Sequence, residues 1–214
     1  MANSACFVDG TRILLEGGET RVEDLKVGDL VVLARGGTAP IKWIGWRSID
    51  RAAMARSPEL APIRVARGAF GPDRPHRNLW LSPEHAVSVL GVLVPIASLV
   101  NGLSIAREPA PRDLLYYHIE LDAHGVLLSE GLETESYLDG GTRAFFANNA
   151  GLSQAHPTTT DGDYSDVRGC APRIYAGAFV DEVRRRLMAR ARFDVPLLSR
   201  GANCRGAQDD TIAA

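Results

Sequence analysis

Short apolar segments separated by turn residues dominate the first 140 positions of the chain. The segments are rich in β-branched, aromatic and leucine residues, which is the pattern of β-strands. Glycine pairs at 17–18 and 36–37 break the pattern, as does the Asn-Gly pair at 101–102. The spacing predicts an all-β fold of many short strands. The predicted strands are 12–15, 30–33, 41–46, 63–65, 86–90, 92–96, 116–121 and 126–128.

The pattern changes after residue 140. Residues 147–172 are rich in Asn, Thr, Gly, Asp and Pro, a composition typical of a linker or long loop. Beyond them Phe179, Val183 and Leu187 recur at a spacing of four, which predicts an amphipathic helix with one packed face. We therefore divide the chain into four parts. They are a domain at 1–140, a linker or long loop at 141–175, a helix at 176–193 and a tail at 194–214 that we expect to be disordered.

Composition and charge exclude several classes of protein. Hydrophobic residues make up 45% of the 214 positions and charged residues 23%, which indicates a folded globular chain. The net charge of -2 gives no overall attraction to nucleic acid or to an anionic membrane. The apolar runs are too short for a transmembrane segment, and residues 1–5 lack the features of a signal peptide. Cytoplasmic synthesis is the default expectation, and nothing predicts the oligomeric state.

The three cysteines stand at positions 6, 170 and 204. This sparse, odd set contains no C-x-x-C pair and predicts no disulfide framework. Two interpretations of Cys6 remain open at this point. It is a small buried hydrophobe, as free cysteines often are, or it is a nucleophile.

Four segments contain residue types that can take part in catalysis. The first is CFVDGTRI, which begins at Cys6, and the second is TRVEDLKVGDLV, which begins at Thr20. The third is LSPEHAV from Leu81, and the fourth is YHIELDAHGV from Tyr117. A thiol reacts as its thiolate, and an amide nitrogen must gain a proton as its bond breaks. Cysteine and histidine together can therefore cleave a peptide bond.

In this order the segments resemble the Hint superfamily, which includes inteins, hedgehog autoprocessing domains and bacterial Hint proteins. Its members open on C-F-x-x-G-T, followed about 15 residues later by V-x-D-L-x-x-G-D and then by a T-x-x-H motif. The resemblance extends from Cys6 to about Tyr137, and residues 127–138 look most like the bacterial Hint proteins. It implies a mainly β, horseshoe-like Hint fold, to which this chain adds a C-terminal α-helix.

The resemblance also implies an autocatalytic reaction. Cys6 would attack the Ala5–Cys6 peptide bond in an N-to-S acyl shift and form a thioester. His85 matches the histidine of T-x-x-H and is expected to protonate the leaving nitrogen. Ser82 stands where the family usually has threonine, and its hydroxyl is expected to hold the scissile amide.

A second pair, Asp122 and His124, matches the later catalytic strand of the family. If the strand continues, alternation places both side chains on one face, where they could act on the thioester. Residues 132–136 lack the His-Asn pair on which splicing inteins end, so full splicing is not expected. The predicted substrate is the chain's own N-terminal segment, and water or another nucleophile resolves the thioester. No cofactor, metal or nucleic-acid partner is predicted.

The sequence permits three other interpretations. A metal enzyme could use His76, His85, His118 and His124, but no H-x-x-x-H or C-x-x-C pair supports it, and His76 is expected to be exposed in a turn-rich loop. A cysteine protease usually carries its nucleophile at the start of a helix, whereas Cys6 enters a predicted strand. The serious rival is a catalytically silent β-module, with Cys6 in its core and the arginine-rich helix as a docking element.

Overall fold

The computed structural model describes residues 5–108, 112–138, 146–149 and 169–193. This part of the chain is mainly β, as the sequence predicts. Two α-helices accompany the strands: α1 is Arg51–Arg56 and α2 is Ala178–Phe193. The strands are β1 Phe7–Val8, β2 Arg12–Leu15, β3 Gly18–Arg21, β4 Leu30–Val32, β5 Thr38–Ile49, β6 Ile63–Val65, β7 Leu79–Leu81, β8 Ala86–Val89, β9 Val92–Pro95, β10 Ile105–Arg107, β11 Leu114–Leu121, β12 Val126–Ser129 and β13 Leu132–Glu135.

The strands pair in an antiparallel manner along one continuous path. Its order is β10-β6-β7-β1-β11-β5-β4-β2-β12-β13-β8-β9, with β3 beside β2. The long strands β5 and β11 form the most extensive ladder, from Leu114 opposite Ile49 to Leu121 opposite Ile41. The two-residue strand β1 lies between β7 and β11. This position brings the N-terminal cysteine into the middle of the sheet.

Alternating apolar side chains build the core of the protein. A large cluster joins residues of both halves of the path, including Ile13, Leu81 and Ile119, which are fully buried. A smaller cluster contains Cys6 and Tyr116 and packs beside it. The thiol therefore lies at the edge of the hydrophobic core, where burial changes its chemistry.

The sequence pattern located the strands with strong alternation and missed the weak ones. The predicted strands at 12–15 and 63–65 have the observed bounds. Five observed strands, β1, β3, β7, β10 and β13, are not among the strands that the apolar pattern predicted. β3 is Gly-Glu-Thr-Arg and β13 is Leu-Glu-Thr-Glu, so each is too polar to be recognised alone. Pairing with neighbouring strands stabilises β3 and β13, because the hydrogen bonds of the ladders compensate for the low β-propensity of their residues.

Helix α2 covers the helix predicted from the four-residue spacing. Val180, Val183 and Leu187 are buried on the core and Phe179 is partly buried against it, so Val180 belongs to the packed face as well. The polar face carries ion pairs within the helix, such as Arg185 with Glu182 at 2.7 Å. Among the described helices, none combines the length and hydropathy needed to cross a bilayer.

Part of the expected linker is ordered against the sheet. Arg173 bridges to Leu93 of β9 in parallel orientation, and the N–H of Ile174 donates to the Leu93 carbonyl at 2.9 Å. Asn148 holds the 146–149 segment to β5, because its side-chain amide donates to the Ile44 carbonyl at 2.7 Å. The remainder of the predicted linker and the whole predicted tail at 194–214 lie outside the described residues.

Candidate functional site

The pairing of β1 with β11 places a histidine beside the cysteine. Phe7 lies opposite Tyr117 and Val8 opposite Tyr116, so the same register continued by one residue places Cys6 opposite His118. Sγ of Cys6 is 2.6 Å from Nε2 of His118. Both residues are completely buried. A proton can therefore pass between the thiol and the imidazole without crossing solvent.

Burial keeps both partners neutral in the resting site. Loss of hydration raises the pKa of the Cys6 thiol to about 11, although the guanidinium of Arg47 and the hydroxyl of Ser82 oppose the shift. Nη2 of Arg47 is 3.7 Å from Sγ. Burial also lowers the pKa of His118 well below 6.5, and the charges of Arg47 and His85 add to this. The imidazole is thus a free base at neutral pH, ready to accept the thiol proton.

A short turn holds the backbone of Cys6 from the other side. The N–H of Cys6, which belongs to the Ala5–Cys6 peptide bond, donates to Oγ of Ser82 at 2.8 Å. The N–H of Ser82 donates back to the Cys6 carbonyl at 3.0 Å. The N–H of His85 donates to the Ser82 carbonyl at 3.0 Å and closes the turn. Ser82 therefore fixes the amide nitrogen that cleavage would release.

The ring of His85 lies against the same backbone. Its edge-on contact with Phe7 has a centroid distance of 4.4 Å, and its Nε2 is 3.2 Å from the Glu135 carbonyl. Nδ1 is buried and makes no hydrogen bond within the described residues. Burial lowers the pKa of His85, while the charge of Glu135 and the nearby Cys6 backbone favour the protonated ring. His85 thus has the position and one uncommitted nitrogen needed by a proton donor.

Three aromatic rings enclose His118. Phe146 packs at a centroid distance of 4.4 Å and Tyr137 at 5.4 Å, while Trp43 contacts both of these rings. Gly45, which lies opposite His118 in the ladder, makes this possible because a Cβ there would overlap the Trp43 ring. The enclosure keeps water away from the thiol, and low polarity strengthens the electrostatic interactions inside.

His124 belongs to a second polar cluster. Its Nε2 is 3.0 Å from the Ser136 carbonyl and 3.5 Å from a carboxylate oxygen of Glu135. Its Nδ1 accepts the N–H of Cys170 at 3.0 Å, which places the ring proton on Nε2. Arg173 neutralises the Glu135 carboxylate through a direct ion pair. Glu135 thus links the two clusters, because its carbonyl meets His85 and its carboxylate meets His124.

Two other residues that the sequence analysis named, Asp122 and His76, do not belong to the Cys6 site. The side chain of Asp122 is 74% exposed and lies 3.9 Å from Lys42. Strand β11 ends at Leu121, so the alternation expected to align Asp122 with His124 stops before both residues. His76, expected to be exposed, has a side chain only 30% exposed because it contacts two glutamates.

Arg47 and Glu135 are site residues that the sequence did not identify, and His118 was named there only as a candidate of the metal-enzyme interpretation. Alternation along β11 was visible in the sequence, but it carries no information about which strand lies beside it. The missing information was the β1–β11 register. Glu135 gave no signal, because it lies on the unrecognised strand β13.

The sequence matches the profile of the Hint domain family over residues 5–141. The chain belongs to the Hint domain family. The matched range contains Cys6, Ser82, His85 and His118, and it excludes the α2 helix. No curated protein sequence matches the chain significantly. Membership of the Hint family also accounts for the large antiparallel sheet described above.

Solved structures of similar proteins are inteins and intein-like domains. A bacterial intein-like domain from Clostridium thermocellum is 16% identical, with a TM-score of 0.45, and the match covers 62% of this chain and 97% of that one. A DnaB intein from Synechocystis is 10% identical, with a TM-score of 0.43, and the match covers 62% and 98%. The gp41-1 intein is 13% identical, with a TM-score of 0.43 and coverage of 61% and 97%.

Proposed function

We propose that this Hint domain cleaves its own chain at the Ala5–Cys6 peptide bond, without full splicing. The observation that carries the proposal is the contact of 2.6 Å between Sγ of Cys6 and Nε2 of His118. This contact places a nucleophile and a base side by side, next to the peptide bond that is to be cleaved. The substrate is the domain's own N-terminal segment, and the reaction is a single turnover.

The first step makes the thiolate and forms the new bond. Nε2 of His118 takes the proton from Sγ, and Sγ attacks the carbonyl carbon of Ala5. The Ala5 backbone near the imidazole favours the protonated ring and so raises the pKa of His118, against the larger effect of burial. Arg47 faces the sulfur at 3.7 Å and stabilises its negative charge during the transfer.

The second step breaks the carbon–nitrogen bond. Protonated His85 gives its proton to the nitrogen of Cys6, and the acyl group of Ala5 remains on Sγ as a thioester. The net change moves one proton from sulfur to nitrogen, which leaves His118 protonated and His85 neutral. Ser82 holds the nitrogen throughout, since its Oγ accepts the N–H of Cys6 at 2.8 Å.

Resolution of the thioester requires a second nucleophile, which is water or an external alcohol or amine. His124 is the group that we assign to this step, because Glu135 connects it with His85. To act as a base it must first release the N–H of Cys170 from Nδ1. Asp122 has no part in the proposal, because its side chain is largely exposed.

The rival function is a catalytically silent Hint-like module that serves as an interaction domain. The complete burial of Cys6 and the rise of its pKa to about 11 favour this alternative. Under it, the Cys6–His118 contact is a polar pair within the core. The two functions differ in whether the Ala5–Cys6 bond is ever broken.

The test is cleavage of a fusion in which a reporter protein precedes Ala5. We expect incubation with a small thiol to release the reporter as its thioester, with a mass that ends at Ala5. Replacing Cys6 with Ala is expected to abolish release, because the variant lacks the thiol that forms the acyl intermediate. Cys170→Ala is the matched control for thiol-induced release, since it removes a thiol that interacts with His124 and leaves the thiol beside His118 in place.

Two results would overturn the proposal. Release that continues in the Cys6→Ala protein would remove the nucleophile assignment. A fusion that stays intact with thiol, while its melting temperature shows a folded domain, would establish the silent module instead.

A further inference from the structure

A second group of ionisable side chains lies outside the proposed cleavage site. Glu19 comes from β3, His76 follows the turn at residues 71–75, and Glu130 occupies the turn between β12 and β13. Nε2 of His76 is 3.3 Å from a carboxylate oxygen of Glu19 and 3.1 Å from one of Glu130. The three candidate ligand atoms all lie within 4.8 Å of one another.

The buried carboxylate of Glu130 is a second, independent feature of this cluster. The residue is 2% exposed, and its Oε1 accepts the N–H of Arg12 at 2.9 Å. Its other oxygen, Oε2, is buried and accepts no hydrogen bond within the described residues. A buried carboxylate oxygen without a donor is costly. This oxygen faces Nε2 of His76, so a cation between the two would satisfy it.

The backbone holds the cluster in place. The N–H of His76 donates to the Glu130 carbonyl at 2.8 Å, and the N–H of Glu130 donates to the Arg12 carbonyl at 2.9 Å. The next residue is Gly131, where a Cβ would come within 2.9 Å of Nδ1 of His76. The imidazole therefore lies against backbone that leaves no room for a side chain. Because their backbone is held in this way, His76 and Glu130 lose little entropy when they bind an ion.

The spacing of these atoms fits a small metal ion. Zinc binds histidine nitrogen and carboxylate oxygen at about 2.0–2.2 Å, usually with tetrahedral geometry. Two such ligands on one ion are then about 3.3 Å apart. The observed separations from Nε2 are 3.3 Å to Glu19 and 3.1 Å to Glu130. One imidazole and two carboxylates are donors suited to borderline divalent ions.

We propose that Glu19, His76 and Glu130 form a binding site for one divalent transition-metal ion of the zinc type. The ion would connect the β2–β3 hairpin, the 71–75 turn and the β12–β13 hairpin. Three protein ligands leave a fourth position for water. The site is separate from the Cys6–His118 pair and does not depend on the proposed cleavage.

The test is calorimetric titration of the full chain with Zn²⁺ alone. A Cys6→Ala background keeps the chain uncut and removes the thiol beside His118 as a competing ligand. We expect one Zn²⁺ equivalent that is lost or weakened at least 10-fold in Glu19→Gln and in Glu130→Gln, since each variant removes a charged ligand. Zn²⁺ should also raise the melting temperature of the background protein and leave that of these variants unchanged.

Glu16→Gln is the matched control, because Glu16 lies on the same hairpin, is exposed and is outside the cluster. It is expected to keep the full affinity. If Glu130→Gln does not fold, Glu19→Gln decides the question, because its side chain lies at the rim and is 26% exposed. No binding of Zn²⁺, or binding equally strong in Glu19→Gln, would overturn the proposal and leave the cluster as a contact between His76 and two glutamates.

Discussion

Cys6 and His118 face each other across β1 and β11, with Sγ 2.6 Å from Nε2 and both side chains fully buried. The two residues are 112 positions apart in the chain. The antiparallel register of two short segments brings them together. Their contact joins a weak acid to a neutral base in a place without bulk water. In the proposed reaction, this imidazole is the group that takes the thiol proton.

Replacing His118 with Gln is expected to slow reporter release by about 10²-fold or more, the usual loss for a general base. Glutamine preserves much of the size and polarity but cannot accept a proton at neutral pH. The rate is measured in single turnover at saturating thiol. Tyr117→Phe is the control, because Tyr117 lies on the other face of β11, and it should keep the parent rate. Equal rates in His118→Gln and the parent would exclude His118 as the base.

The rate of release should depend on pH as a bell-shaped curve with its maximum on the acid side of pH 6.5. His118 must be neutral and His85 must be protonated. Burial lowers the pKa of both residues, and that of His118 further. The rate therefore decreases at pH values below the pKa of His118 and at pH values above the pKa of His85. A rate at saturating thiol that rises steadily to pH 9 would instead indicate that simple ionisation of Cys6 limits the reaction.

Ser82→Ala should slow release roughly 10-fold, the effect of one lost hydrogen bond. The variant removes the oxygen that accepts the Cys6 N–H at 2.8 Å. Both histidines stay in place, so the loss should be smaller than in His118→Gln. Ser88→Ala on β8 is the control and should cleave like the parent. A Ser82→Ala protein as slow as His118→Gln would mean that Ser82 takes part in proton transfer.

His124→Ala should separate the two stages of the reaction. A strong thiol should still release the reporter at nearly the parent rate, because Cys6, His118 and His85 are intact. Hydrolysis without thiol should slow at least 10-fold, within the range for loss of a general base, and the thioester should accumulate in the mass spectrum. If both rates fall together along with the melting temperature, His124 only supports Glu135 and the chain around Cys170.

Leu187→Ala should lower the free energy of unfolding by about 2–5 kcal/mol, the usual loss for a buried leucine. Leu187 is 6% exposed and packs with Val183 on the core. Urea denaturation measures the change. Arg185→Ala is the control, because its side chain is 70% exposed and its ion pair with Glu182 contributes at most about 1 kcal/mol. Equal stability of the two variants would show that α2 is not part of the cooperative fold.

The sequence by itself identified the elements whose own pattern is strong. Alternating apolar residues marked β2 and β6, and the four-residue spacing marked α2. The motifs from Cys6, Thr20 and Leu81 indicated the Hint family, which the family profile confirms over residues 5–141. Those signals are local, because periodicity and motif spacing are read within one segment.

Tertiary structure decided which segments meet. β3 and β13 form despite weak propensity, because neighbouring ladders complete their hydrogen bonds. The partner of Cys6 depended on the β1–β11 register, and a shift of one residue would have turned His118 to the other face. Burial then determined the chemistry: desolvation raises the pKa of Cys6 to about 11 and lowers that of His118. A sequence lists ionisable groups, but only the fold sets their distance from one another and from water.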